Sequence, residues 1–158
     1  MSAPLAAVVA EAVRRHRAGL VDDAKGLFEG ALQMDPEDGV AQHFLGVIHW
    51  QAGEPALGES LIRRSLSRLP ALPDFYNNLG LCLQAQSHHE DAIDAYERAL
   101  AIDPDYVSAH NNLGLCKQER GDLREAIEHF DRAIALMPNF VEAKWNLQIA
   151  QRALEAVS

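Results

Sequence analysis

The sequence predicts an all-α protein, a solenoid of four helix hairpins closed by one further helix, and three observations carry that prediction. Pro36, Pro70, Pro104 and Pro138 recur every 34 residues, and self-similarity at a fixed period marks stacked structural units. The six letters NNLGLC stand at residues 77–82 and again at 111–116. With the proline set at position 32 of each unit, positions 4, 7, 8 and 11 recur at helical spacing, and so do positions 20, 24, 27 and 28. That is the spacing of one buried face on each of two helices. A single domain over residues 1–158 follows, with repeats at 5–38, 39–72, 73–106 and 107–140 and a capping helix at 141–158.

Each element has its own local reason. Gly19, Gly53 and Gly121 fall between the two helices of their units, where glycine suits a left-handed C-cap. The third unit has Ser87 there, and with Glu90 it spells the S-x-x-E capping box of a starting helix. Pro55 suits the first position of its helix, and the position-32 prolines end each second helix. Gly46, Gly80 and Gly114 lie inside first helices. Glycine there costs about 1 kcal/mol against alanine, which makes sense only where two helices approach too closely for a side chain. Leu45, Leu79 and Leu113 fill the same interface. In the tail Leu147 keeps position 7, but Gln148, Gln151 and Arg152 follow, as expected of a cap with a polar outer side.

Composition limits the functions available. Asp plus Glu number 23 against 14 Lys plus Arg, a formal charge of -9, so a phosphate backbone is repelled and nucleic acid is not an expected partner. The apolar stretch APLAAVVA stops at Glu11, too short to span a membrane and without a basic leader. No membrane partner and a cytoplasmic setting are expected. Cys82 and Cys116 occupy equivalent places in stacked units, about 10 Å apart at helix-packing distance and beyond disulfide reach, so both are expected as free thiols that fill space. The sequence has no G-x-x-x-x-G-K-[ST], G-x-S-x-G, H-E-x-x-H or C-x-x-C. The seven histidines lack the i, i+4 spacing of a metal pair, and no catalysis, metal or cofactor is expected.

Leu79, Gly80, Ala92 and Pro104 in the third unit, and Leu113, Gly114, Ala126, Phe130 and Pro138 in the fourth, follow W-x2-L-G-x2-Y, A-x3-F and P, the pattern of the tetratricopeptide repeat. The chain resembles that family over nearly its whole length. The second unit keeps Leu45, Gly46 and Pro70. The first keeps only Ala24, Phe28 and Pro36, with Glu11 and Ala12 in place of Leu and Gly. The resemblance implies a right-handed superhelix whose first helices line a concave groove for partner segments. The carboxylate clamp found in some such domains is not expected, since Val9, Val13, Asp74 and Ser108 stand where it needs cations.

Positions 2, 5, 6, 9, 12 and 13 point roughly 140° away from the buried stripe of the first helix. They supply the candidate binding residues: His43, Phe44, Val47, Trp50, Asn77, Asn78, Leu81, Asn111, Asn112, Leu115, Trp145, Asn146 and Ile149. Amides both donate and accept, and a row of them can hold the backbone of an extended peptide. The position-6 row of Asn78, Asn112 and Asn146 is similar to the asparagine ladder of O-linked N-acetylglucosamine transferases; Ala10 and Phe44 break it. The alternative is an asparagine tolerated as family consensus. The apolar position-9 stripe of Val13, Val47, Leu81, Leu115 and Ile149 is either a groove floor or contact between neighbouring first helices. The expected function is a non-catalytic module that binds an extended or helical segment of a protein partner. A substrate-presenting arm of a larger enzyme such as a glycosyltransferase is a second reading. Self-assembly into a homo-oligomer, through the position-9 stripe or Trp145, is a third.

Overall fold

The computed structural model describes residues 3–157, and every regular element among them is an α-helix. In chain order these are α1 (Ala3–Arg17), α2 (Val21–Met34), α3 (Gly39–Gln51), α4 (Pro55–Arg68), α5 (Pro73–Gln84), α6 (His89–Ile102), α7 (Val107–Arg120), α8 (Leu123–Leu136) and α9 (Val141–Ala156). None is long and apolar enough to cross a membrane. The helices divide into two compact units, Met1–Ala71 and Leu72–Ser158.

In the first unit α1 pairs with α2 and α3 with α4, while α2 lies against α3. Their shared core holds Leu5, Val9, Ala12, Phe28, Leu45, Ile48 and Leu61. In the second unit the hairpins are α5–α6 and α7–α8; α6 lies against α7, α8 against α9, and the first helices α5, α7 and α9 adjoin in that order. Each position-32 proline stands one residue beyond the C-cap of its second helix, at Asp35, Leu69, Asp103 and Met137. Pro55 opens α4.

The hairpins are held by a large residue on the second helix facing a small one on the first. A Cβ on Gly80 would come within 2.6 Å of Tyr96 Cζ, and one on Gly114 within 2.6 Å of Phe130 Cε1. In the second hairpin a Cβ on Gly46 would come within 2.8 Å of Ile62 Cγ1 and 2.9 Å of the Gly58 carbonyl. The glycines are there for packing.

All four hairpin turns share one bonding pattern. The residue in the left-handed conformation donates its N–H three residues back, and the next donates five back, as in Gly121 to Gln118 O (3.0 Å) and Asp122 to Lys117 O (2.9 Å). Gly19, Gly53 and Gly121 have φ of 77°, 86° and 92°, and Ser87 takes the same place with φ of 61°. The expected capping box is therefore corrected: the N-cap of α6 is His88, with no side-chain cap bond, and Ser87 belongs to the end of α5. A serine Cβ crowds the following carbonyl in this conformation. Ser87→Gly is expected to stabilise the protein by about 1 kcal/mol, a rise in Tm of about 2–4 °C by thermal denaturation. Gly121→Ser should lower it by a similar amount.

Candidate functional site

Position 4 of a first helix is polar in two repeats, and there it reaches back to the preceding loop. Gln42 Nε2 donates to the Pro36 carbonyl at 2.7 Å, and His110 Nε2 lies 3.0 Å from the Pro104 carbonyl. That carbonyl only accepts, so His110 Nε2 donates to it. The other ring nitrogen, Nδ1, shares a hydrogen bond with His129 Nδ1 at 3.1 Å. Burial, with His110 and Lys117 alongside, lowers the His129 pKa to about 4, and Glu125, 2.8 Å from Lys117 Nζ, opposes the shift. Gln42, His110 and Lys117 are buried and His129 is half-buried, while Glu125 is exposed.

In the first unit the candidates are mostly taken up by packing. His43 is 2% exposed, and burial, with His16 nearby, drops its pKa to about 3. Val47 is buried. Phe44 stacks on Phe28 with ring centroids 5.4 Å apart and meets His16 edge-on at 5.3 Å, which joins α3 to the first hairpin. Trp50 is half-buried. The row of positions that faces outward from a hairpin faces the neighbouring hairpin as well, and here the neighbour covers it.

The asparagines of the second unit divide into two kinds. Asn77 and Asn111, at position 5, are buried, and each accepts a bond from position 6 of the next first helix: Asn112 Nδ2 to Asn77 Oδ1 at 2.9 Å, and Asn146 Nδ2 to Asn111 Oδ1 at 3.0 Å. Asn146 is buried too. The amides therefore form an internal ladder between repeats. Only Asn78 and Asn112 of the position-6 row are half-exposed, and Leu81 and Leu115 are half-exposed beside them. Leu115 also packs against the core of Phe130 and Ala150. The 35-residue offset between partners is visible in the doubled NN of NNLGLC once position 5 of one unit is set against position 6 of the next.

Trp145 and Ile149 occupy positions 5 and 9 of α9, the positions through which α7 turns toward α9, and both are exposed. Trp145 is 63% exposed and Ile149 39%. The outer side of α9 is therefore not uniformly polar as expected from Gln148, Gln151 and Arg152. The thiols of Cys82 and Cys116 are free and buried; burial, with Glu119 adding to it, pushes the Cys116 pKa up to about 12, far from a reactive thiolate.

Family models for the tetratricopeptide repeat match residues 9–73 and 74–139. Tetratricopeptide repeat protein 7A of Homo sapiens is 29% identical over 85 residues, which are 54% of this chain and 10% of that protein, so the chain spans about a tenth of this relative. Among solved structures, pilF of Pseudomonas aeruginosa superposes with a TM-score of 0.84 at 22% identity, over 96% of this chain and 69% of that one. A chain of the APC/C hetero-tetramer Cut9-Hcn1 reaches 0.86 at 17% identity, over 90% and 29%. Likenesses at such identities establish the fold, an all-α array of helix hairpins.

Proposed function

The chain belongs to the tetratricopeptide repeat family, and on that premise we propose that the first-helix face of its second unit holds an extended segment of a partner protein through the side-chain amides of Asn78 and Asn112. Repeats of this family generally mediate protein–protein interaction and are typically without catalysis of their own. One similar structure is itself a hetero-complex, Cut9-Hcn1.

The observation that carries this reading is the bond from Asn112 to Asn77. It uses one N–H of Asn112 and fixes the side chain, while the residue stays half-exposed. A carboxamide held in this way presents its remaining N–H and its oxygen in a set direction, so little rotamer freedom is lost when a peptide binds. Adjacent first helices pack about 10 Å apart, which is roughly three residues of extended chain. Asn78 and Asn112 would then meet the backbone of every third peptide residue, and Leu81 and Leu115 would take the apolar side chains between them.

Peptides selected from a random library on the intact chain provide the test. Asn112→Ala should weaken them about tenfold, the loss of one well-placed hydrogen-bonding group. Asn77→Ala should weaken them less, by releasing Asn112 without removing it. Unchanged affinity in Asn112→Ala, at unchanged helicity, would refute the proposal.

A further inference from the structure

We infer that α9 is a self-association surface, on which the stripe of Val141, Trp145 and Ile149 pairs antiparallel with the same stripe of a second copy. The three residues are spaced i, i+4, i+8 on one face of the helix and are 76%, 63% and 39% exposed. A large apolar row left open in this way marks an interaction surface.

The stripe differs from the face that α5 and α7 offer to the next first helix. Position 5 of α5 and α7 is an asparagine that receives an amide from the next first helix, whereas in α9 it is Trp145, which offers no acceptor. Position 8, glycine in three hairpins, is Gln148 in α9, so a second helix with a bulky residue at position 24 has no room to approach.

Charge order selects the occupant. Along α9 the exposed charges run Glu142, Lys144, Arg152, Glu155, so the signs read minus, plus, plus, minus. None of the four makes an ion pair among the described residues. A two-fold axis through the middle of the stripe sets Trp145 of each copy against Ile149 of the other. It brings Glu142 of each copy toward Arg152 of the other, so that this pair is made twice. Parallel pairing in register would set like charges together. Antiparallel pairing also opposes the two helix dipoles. One helix pair buries less than a standard interface, so the dimer is a weak one.

Sedimentation of the full chain over a concentration series, up to about 1 mM, tests the inference. The mass should climb from the 17.4 kDa of the single chain toward twice that value. Trp145→Ala should abolish the rise without loss of helicity, because that side chain is largely outside the core, and it should leave peptide binding at Asn112 intact. Glu142→Arg and Arg152→Glu should each weaken dimerisation at least tenfold, and the double variant should restore it to within about threefold. A chain monomeric at every concentration overturns the inference. So does failure of the double variant to restore what the single ones lose.

Discussion

Gly80→Ala should destabilise the protein by about 2 kcal/mol net, although helix propensity alone favours alanine there by about 1 kcal/mol. The new methyl group would overlap the Tyr96 ring, with Cζ at 2.6 Å and Cδ1 at 2.8 Å. That ring has nowhere to go. Tyr96 is fully buried, and its hydroxyl donates to Gln84 Oε1 at 3.1 Å, so the side chain is fixed at its far end as well as by its packing. Burial also holds the phenol far above its usual range, so the ring remains neutral. Overpacking of this kind costs about 3 kcal/mol, which outweighs the gain in propensity. Chemical denaturation of Gly80→Ala, Tyr96→Leu and the double variant resolves the two effects: with the ring shortened, the alanine should be tolerated or favoured. A stabilised Gly80→Ala would mean that the helices of this hairpin can separate freely.

The hairpin array was legible because backbone chemistry wrote it at fixed intervals. A proline that cannot continue a helix, a glycine where a Cβ cannot fit and an apolar face at helical spacing are each local, and three or four copies of each remove coincidence. Ser87 was misread because its letters satisfy a helix start as well as they fill a helix end. Only the backbone conformation separates the two, and the alignment with Gly19, Gly53 and Gly121 was the better guide.

The candidate face was less legible because exposure depends on the neighbouring repeat. Asn77 and Asn78 are adjacent letters of one type, yet one is buried as an acceptor for the next repeat and the other is half-exposed. A helical wheel treats them alike, since it knows the hairpin but not the stack. The same limit hid Phe44, which is outward on α3 but stacked on Phe28 of the preceding hairpin. Trp145 shows the converse: it has the same place in its repeat as Asn111, yet Asn111 is buried against Asn146 of the next first helix and Trp145 is exposed.

Phe130→Ala should cost the most of any change considered, about 3–5 kcal/mol, because one ring joins three helices. It is fully buried against Gly114 of α7, and its cluster includes Ala126 of α8, Ala150 and Leu147 of α9, and Leu115 of α7. Gly114 cannot close the void, having no side chain to move, and the alanines at 126 and 150 are too short to reach into it. Water has little reason to enter, since the cavity walls are apolar. The loss should therefore be local as well as large: α9, whose buried contacts depend on this cluster and on the Asn146 to Asn111 bond, should lose amide-exchange protection before α5 and α6. Phe130→Leu, which keeps most of the volume, should retain that protection and lose under about 1.5 kcal/mol. Equal loss of protection along the whole second unit would show instead that its helices unfold as one, with no separate step for the terminal helix.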